Sequence, residues 1–376
     1  RPENRLRASV AVLLRVHGQE LLYLLNRKYR TVDPVAGEVR RPLVIAPPVF
    51  AKLSDNVFVF PTSQPKPISV QVTAATGPVK GELKLALPQG WEVSPASVPI
   101  NLKTADAETV VTFTIKPPDQ DSEGVLRAVV STDNHDYSFD RVRISYPHIG
   151  VQTLMPPAEA KLVRADIRKR GDSIGYIPGA GDDVPDSLRQ IGYSVKILSE
   201  PEITAKNLAQ FSAVVLGIRA YNTREGISNW LPELFAYVKD GGIAIVQYNT
   251  LSELKSNELG PYPLEISRDR VTDENAQVRI LAPNHPVMTT PNKITSKDFE
   301  GWVQERGLYF PNKWDPAWTP ILSCNDPKEK PLDGGLLIAR WGKGFFVYTS
   351  YSWFRELPAG VPGAYRLFAN MLSLGK

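Results

Sequence analysis

The stretch "GGIAIVQYNT", residues 241–250, decides the fold of the second half of the chain. The apolar run Ile243–Val246 predicts a buried β-strand, which ends in the polar residues Gln247, Tyr248 and Asn249. The preceding segment, "ISNWLPELFAYVKDGG", has the apolar spacing of a helix, and its two glycines end that helix. A helix that leads directly into a fully apolar strand indicates a parallel sheet with helices on its faces.

The same alternation of strand and helix extends over residues 158–376. The stretch "DSIGYIPGAGDDVPDSLRQIGYSVKIL" predicts a strand, a glycine loop, a helix and a strand, with Asp183 as the expected N-cap and Pro185 in the first helical turn. "LAQFSAVVLGIRAYNT" supplies a third strand. We therefore expect a doubly wound, mainly parallel, flavodoxin-like sheet.

Two further patterns complete this predicted α/β domain. The stretch "GGLLIARWGKGFFVYTSY" predicts a hairpin with Gly342 and Gly344 at its turn, and "VPGAYRLFANMLSLG" predicts a closing helix. The section between Leu251 and Pro320 is rich in loops.

Residues 49–150 predict an all-β domain. Short alternating runs such as "ISVQVTAA" and "ETVVTFTIKPP" are separated by turn residues at intervals typical of an immunoglobulin-like β-sandwich. Trp91 is open to two interpretations, a sugar-stacking platform or a core side chain, and we prefer the core. The fold class predicted for the whole chain is thus α/β plus all-β.

Residues 1–48 predict a β leader and linker, which we interpret as the tail of a preceding domain. "ASVAVLLRVHGQELLYLL" suits either two strands around the turn at His17–Gly18 or a helix broken at Gly18. The chain begins with Arg1 and has no signal-peptide pattern, so we expect it to be a piece of a longer protein.

Charge and hydropathy exclude two classes of partner. The net charge is +4, but residues 1–50 hold nine Lys and Arg against four acids, so the rest of the chain sums to −1. This distribution predicts no nucleic-acid surface. No apolar run approaches the roughly 20 residues that a membrane span needs. The one cysteine, Cys324, allows no internal disulfide.

The sandwich segment carries a resemblance to a known module. "GELKLALPQGWEVSPASVPINL", with the later "TFTIKPP", resembles the NEW-type sandwich found beside glycosidase modules. The resemblance implies a carbohydrate-related setting and no chemistry of its own.

The α/β segment resembles the class I glutamine amidotransferase-like fold, nearest its ThuA-like branch. "FSAVVLGIRAYN", "VKDGGIAIVQYNT" and "GKGFFVYTSYSWF" carry this resemblance. Together with "RTVDPVAGEVRRPL" and "FRELPAGVPGAYRLFANMLSLGK" they resemble the C-terminal region of large bacterial deacetylases of the PIG-L (LmbE-like) family. That resemblance implies a secreted or periplasmic protein with an upstream zinc-dependent N-acetyl-sugar deacetylase domain as its partner.

The groups that such chemistry requires are missing from this chain. The AHPDD-type zinc motif of the deacetylases is absent, since "GAGDDVP" has the paired acids but no histidine. The four histidines have no metal-ligand spacing, so we expect no metal and no cofactor.

Cys324 follows an apolar run, which predicts a buried thiol. In amidotransferases the nucleophilic cysteine stands at the tip of the strand that here ends in Gln247–Asn249, and these side chains are poor nucleophiles.

The remaining candidates are polar and aromatic residues that bind rather than react. Ligands bind parallel sheets beyond the carboxyl ends of their strands, and several ion pairs and aromatic residues are predicted there. The ligand-binding candidates are Arg219, Tyr221, Asn222, Gln247, Tyr248, Asn249, His285, Trp302, Glu305, Arg306, Tyr351 and Arg355. We name no catalytic residue.

Three functions stay open at this point. The first is an accessory, non-catalytic region that recognises a glycan or amino-sugar ligand or packs on a deacetylase domain. The second is a ThuA-like sugar-active enzyme that uses His285, Glu305 or Asp269. The third is a purely structural partner. The aromatic residues between Trp302 and Trp353 suit either a sugar-stacking face or a core.

Overall fold

The computed structural model describes residues 9–35, 37–132, 135–146 and 148–376, and part of the predicted leader, residues 1–8, lies outside this description. The protein combines a β-sandwich with a mixed α/β part, as the sequence predicts at this coarse level. Its contacts divide it into two compact units. The first holds the residues up to 56 with 64–118 and 123–162, and the second holds 57–63, 119–122 and 163–376.

In chain order the described strands are β1 (Ser9–Val16), β2 (Gln19–Asn26), β3 (Lys28–Asp33), β4 (Gly37–Pro42), β5 (Val49–Leu53), β6 (Val57–Phe60), β7 (Lys66–Ala74), β8 (Val79–Ala86), β9 (Glu92–Ser94), β10 (Ser97–Leu102), β11 (Glu108–Lys116), β12 (Ser122–Ser131), β13 (Asp136–Tyr137), β14 (Val142–Ile144), β15 (Gln152–Leu154), β16 (Glu159–Arg164), β17 (Ser173–Ile177), β18 (Ser194–Ile197), β19 (Ala213–Leu216), β20 (Ile243–Val246), β21 (Leu264–Ile266), β22 (Arg270–Val271), β23 (Arg279–Ile280), β24 (Gly307–Leu308), β25 (Pro311–Trp314), β26 (Trp318–Pro320), β27 (Leu322–Ser323), β28 (Leu336–Trp341) and β29 (Gly344–Thr349). The helices are α1 (Val184–Gln190), α2 (Ala205–Leu208), α3 (Ala220–Thr223), α4 (Ile227–Lys239), α5 (Pro286–Thr289), α6 (Trp353–Glu356) and α7 (Pro362–Leu372), with 3-10 turns at Glu200–Glu202 and Ser296–Phe299.

The first unit contains the two sheets of the sandwich. One has the strand order β5-β7-β11-β9, and the other contains β10-β8-β12 and continues into β16. Alternate residues of β7 point into the core, where Ile68, Val70 and Val72 are at most 1% exposed. Trp91 is also buried, which confirms the core interpretation of this tryptophan.

The leader residues that the structure describes form two hairpins. β1 pairs antiparallel with β2 around His17–Gly18, and β3 pairs with β4. The strand alternative for the first segment is therefore confirmed and the broken helix is wrong. The turn between β1 and β2 places both of its residues at positive φ, which glycine adopts at no cost.

The second unit is built on a sheet with the strand order β18-β17-β19-β20-β29-β28-β26. The first five strands are parallel, and β28 and β26 form an antiparallel extension of the sheet beside them. The predicted hairpin is confirmed as β28–β29, and the predicted helices before and after it are confirmed as α4 and α7.

Strand β20 is apolar at every position because both of its faces are covered. Ile243 and Ile245 belong to the core on the side of α7, whereas Ala244 and Val246 belong to the core on the side of α4. All four residues have no exposed surface. This two-sided burial places the end of β20, and the loops beside it, at a fixed position in the middle of the sheet.

Among the residues described, no helix combines the length and the apolar character that crossing a bilayer requires.

Candidate functional site

The carboxyl ends of the parallel strands form the candidate site. Strand β17 lies between β18 and β19, so the chain passes from β17 to β18 on one side and then crosses back to β19 on the other side. In open parallel sheets, ligands bind beyond the strand ends at such a reversal. The loop at residues 178–183 follows β17, and the loop at residues 217–219 follows β19, so both lie at this reversal.

The carboxylate of Asp182 fixes the loop after β17. Its Oδ1 accepts hydrogen bonds from the Tyr176 hydroxyl at 2.5 Å and from the Val184 N–H at 3.1 Å, and its Oδ2 accepts from the Ile218 N–H at 3.2 Å. Burial, with the nearby charge of Asp182, raises the pKa of Tyr176 well above its usual value. Asp183 is the N-cap residue of α1, as predicted, but its side chain makes no cap hydrogen bond, and the Asp182 carboxylate accepts from the Val184 N–H at the helix start instead.

The two loops touch through their backbones. A Cβ on Gly179 would lie 2.0 Å from the carbonyl oxygen of Ile218, and Ala180 donates its N–H to that same oxygen at 2.8 Å. Only glycine permits this approach. The two loops are therefore held in a fixed position relative to each other.

Arg219 occupies a left-handed turn between β19 and α3. Its φ is 56° and its ψ is 27°, and its N–H donates to the Tyr248 carbonyl at 2.8 Å. A strand, a strained residue and a helix in this order form the backbone geometry that hydrolases use to present a nucleophile. We expected the equivalent position at the tip of β20, and the structure has this turn one strand earlier, with an arginine on it.

The amides at the tip of β20 hold the loops together. Asn249 accepts from the Tyr221 N–H at 3.0 Å and donates to the Gln247 carbonyl at 3.0 Å. Asn222 exchanges two hydrogen bonds with the backbone of Thr250, at 3.0 and 2.9 Å. All of these residues are buried, and they position the surface residues around them.

Gln247 is the amide at this tip whose carbonyl oxygen keeps an unused hydrogen-bonding capacity. Its Nε2 donates to the Tyr176 hydroxyl and to the Leu216 carbonyl, each at 3.3 Å, while its Oε1 has no partner among the described residues. Its side chain is 1% exposed.

An aromatic group covers the end of β20. The rings of Tyr248 and Tyr309 are parallel within 8° with centroids 6.4 Å apart, and the Phe354 ring lies 5.3 Å from that of Tyr248. Tyr309 has a φ of 54°, and Gln304 nearby in the chain has a φ of 66°. Left-handed backbone is costly for residues with side chains and concentrates at functional sites.

Charged groups surround this aromatic group. Arg355 donates from Nε to Glu305 at 2.8 Å, and its guanidinium lies 4.8 Å from the Phe354 ring centroid. Burial raises the pKa of the Tyr248 phenol, Glu305 and Tyr309 add to this, and Arg219 and Arg355 oppose it. We call Arg219, Tyr248, Glu305, Tyr309, Phe354 and Arg355 the Tyr248 cluster.

Arg219 differs from Arg355 because no carboxylate of the described residues neutralises the positive charge of its guanidinium. Within the described part of the chain its guanidinium has no carboxylate partner, and its Nε is shielded from water without an acceptor. The cluster therefore presents one uncompensated positive charge beside aromatic faces.

Three of the predicted site residues lie in the core of the unit instead. Trp302 packs edge-on against Tyr351 with ring centroids 5.8 Å apart, and the Arg306 guanidinium lies 5.2 Å from the Trp302 ring. Arg306 is 3% exposed and donates to the carbonyls of Ala276 and Phe299 at 3.0 and 2.6 Å. Most of the aromatic residues between 302 and 353 are buried in the same way, so they build the core.

The three residues named for the ThuA-like enzyme, His285, Glu305 and Asp269, make no contact with one another in the described part of the chain. His285 accepts from the Val287 N–H through Nδ1 at 3.2 Å and so caps α5, and burial lowers its pKa. Asp269 accepts from the Phe310 N–H through its carbonyl at 3.0 Å, whereas Glu305 belongs to the Tyr248 cluster.

The one cysteine is buried, as predicted. Cys324 has no exposed surface, its Sγ lies 3.4 Å from the Tyr351 hydroxyl, and burial raises its pKa to about 11. A thiol with such a pKa is almost entirely protonated at neutral pH. Among the described residues, no three His, Cys, Asp or Glu side chains form a group that could hold a metal ion.

Comparison with known proteins finds no family model that matches, and no curated protein matches either. Solved structures give similarities at low identity. A putative GMP synthase component from Thermoplasma acidophilum is 11% identical, with a TM-score of 0.35, over 55% of this chain and 94% of that one. A β-galactosidase from Rahnella sp. R3 is 14% identical, with a TM-score of 0.33, over 54% of this chain and 31% of that one. A family 123 glycoside hydrolase from Clostridium perfringens is 9% identical, with a TM-score of 0.22, over 54% and 38%.

Proposed function

We propose that the second unit binds a saccharide at the Tyr248 cluster and leaves it chemically unchanged. The observation that carries this proposal is Arg219, which stands at the strained strand-to-helix turn where a hydrolase would place its nucleophile. A guanidinium binds oxygen atoms through fixed N–H groups and stays protonated, so it holds a ligand without attacking it.

The chemistry around Arg219 suits a sugar. Saccharides present apolar C–H faces that pack on aromatic rings, and hydroxyl groups that bind charged and phenolic side chains. The cluster offers both kinds of group, through Tyr309 and Phe354 on one hand and Arg219, Glu305 and Arg355 on the other. In this proposal the chain is an accessory carbohydrate-recognition region of a PIG-L-like N-acetyl-sugar deacetylase, secreted or periplasmic.

Calorimetric titration with a panel of neutral, acidic and N-acetylated saccharides tests the proposal. We expect at least one saccharide to bind and Arg219→Ala to weaken it by about tenfold or more, since a charged hydrogen bond is worth at least ~1.4 kcal/mol. Arg340→Ala is the matched control, because Arg340 is exposed on β28 beside Phe345, level with the start of β20 and so at the end of the strands opposite the Tyr248 cluster.

Two outcomes would contradict it. Equal affinity of Arg219→Ala and the unchanged protein would remove the site from the Tyr248 cluster. Turnover of the bound saccharide would instead support the ThuA-like enzyme, in which case substitutions of Glu305, His285 and Asp269 would identify the residue that acts.

A scaffolding role is a second candidate, and the hairpin β1–β2 favours it. Both faces of this hairpin carry exposed apolar side chains, with Leu13 59%, Leu22 64% and Tyr23 52% exposed. A two-stranded hairpin is marginal by itself, and strands that are apolar on both faces are normally covered on both. We propose that the deacetylase domain of the PIG-L-like protein covers it.

Co-purification tests the scaffolding role. We expect a separately expressed PIG-L-type deacetylase domain to co-purify with the unchanged chain. It should not co-purify with the double variant Leu22→Lys, Leu24→Lys. The variant should melt at the unchanged temperature, because both side chains are 64% exposed and contribute little to the fold. Equal recovery of the domain with both chains would refute the hairpin's role.

A further inference from the structure

We propose that the ligand of the Tyr248 cluster is an acidic saccharide whose carboxylate pairs with Arg219. This inference rests on the proposed function and narrows its ligand class from saccharides in general to those that carry one negative charge. Charge, geometry and the state of the Tyr248 phenol each support it.

The charges at the cluster sum to +1. Arg219 and Arg355 contribute two positive charges, and Glu305 contributes one negative charge that is already committed to Arg355 at 2.8 Å. In the adjoining loop the carboxylate of Asp182 is occupied by Tyr176, Val184 and Ile218. A ligand with a single negative charge therefore completes the cluster, whereas a neutral sugar leaves Arg219 without a counter-charge.

The position of Arg219 favours a carboxylate over a hydroxyl group. Its guanidinium has no acceptor among the described residues, and Nε is shielded from water whereas the half-buried side chain leaves its two terminal N–H groups open to a ligand. A carboxylate accepts two parallel hydrogen bonds from the guanidinium fork, which a hydroxyl oxygen cannot do. The left-handed backbone at φ 56° and the bond from the Arg219 N–H to the Tyr248 carbonyl hold the base of this side chain in place.

The Tyr248 phenol adds a donor beside the guanidinium. Burial raises its pKa, so it stays protonated at neutral pH and donates a hydrogen bond to an anion. The parallel Tyr309 ring and the Phe354 ring lie on its sides and supply the apolar surface for the pyranose ring. A uronic acid has this combination of one carboxylate and one pyranose.

Calorimetry with matched pairs tests the inference, using the methyl glycosides of glucuronate and glucose and of galacturonate and galactose, with acetate alone as a third arm. We expect at least one uronate to bind about tenfold or more tightly than its neutral partner and than acetate, with the preference decreasing as salt rises. Arg219→Ala should abolish the preference, and Arg219→Lys should restore only part of it because an ammonium lacks the fork. Arg340→Ala should keep it.

Glu305→Gln gives an independent check with the opposite sign. Removing the negative charge raises the sum at the cluster to +2, so uronate affinity should increase severalfold while that of a neutral sugar does not.

The failures are distinguishable. Equal binding of a uronate and its neutral partner would overturn this inference and leave the proposed function intact. Binding of acetate as tight as that of the uronate would also overturn it, because the pyranose would then contribute nothing. If none of the saccharides in either panel binds, both the inference and the proposed function fall.

Discussion

Replacing Gly363 with alanine should destabilise the second unit by at least ~3 kcal/mol, near the upper end for overpacked sites. Gly363 lies in the first turn of α7, and a Cβ there would lie 1.9 Å from the carbonyl oxygen and 2.3 Å from the Cα of Asp298. Those atoms belong to the backbone of the 3-10 turn Ser296–Phe299, so no side-chain rotation relieves the clash. The helix must move away from the turn and from the core that it covers.

Urea unfolding followed by tryptophan fluorescence measures this effect. Six of the seven tryptophans lie in residues 163–376, so the signal reports on the second unit. Lys330→Ala is the control in the same unit, because Lys330 is exposed in the loop after β27, and it should change the unfolding free energy by less than ~0.5 kcal/mol. A loss below ~1 kcal/mol for Gly363→Ala would contradict the close packing of α7 on the turn.

The second large effect is a pH dependence that comes from Glu356. This carboxyl has no exposed surface and accepts from the Val303 N–H at 3.0 Å, and burial raises its pKa to about 8. The Val303 bond and the charges of Arg306 and Arg355 oppose the increase without cancelling it. Because the folded state binds this proton more tightly than the unfolded state, the stabilisation is complete below the unfolded pKa and is lost as the pH rises toward about 8.

The unfolding free energy should therefore decrease between about pH 5 and pH 8, by up to ~1.4 kcal/mol for each pH unit. Glu356→Gln cannot ionise and keeps an acceptor for Val303, so it should remove this slope and be more stable than the unchanged protein at high pH. Glu300→Gln, at an exposed position, should keep the slope. Parallel pH profiles for Glu356→Gln and the unchanged protein would show that Glu356 is not the source.

The parallel sheet could be predicted because its signals are local. The four apolar residues of β20 and the glycines that follow α4 are contiguous in the sequence, and two-sided burial imposes that pattern. The first leader hairpin could be predicted only as one of two alternatives, because the apolar run around His17 suits a strand or a helix equally well until its partner is known.

The roles of individual polar residues were less accessible. Asp182 and Asp183 are equivalent as sequence, and only the proximity of the Ile218 N–H makes Asp182 the acid that fixes the loop. Likewise each of two arginines is next to a glutamate in the sequence, since Arg306 follows Glu305 and Arg355 precedes Glu356. The fold buries the first against Trp302 and leaves the second, half-buried, in the Tyr248 cluster.

The left-handed turn at Arg219 was missed for a physical reason. Arginine has no preference for positive φ, and the turn is imposed by the bond to the Tyr248 carbonyl and by the contact of Gly179 with Ile218. The signal that could have found it is "GIRAY" after the strand β19, which has the glycine and the spacing of a nucleophile turn with arginine in the reactive position. The binding roles of the residues named from the sequence stay predictions.

Ligand-observed NMR on a mixture of the protein and the saccharide that binds in calorimetry tests the central claim most directly, because one experiment reports both contact and chemical change. We expect saturation transfer from the protein to the saccharide, its loss in Arg219→Ala, its retention in Arg340→Ala, and saccharide signals that are unchanged after overnight incubation. Signals of a new product, or equal transfer to the saccharide from Arg219→Ala, would contradict the claim that this turn holds a molecule without breaking it.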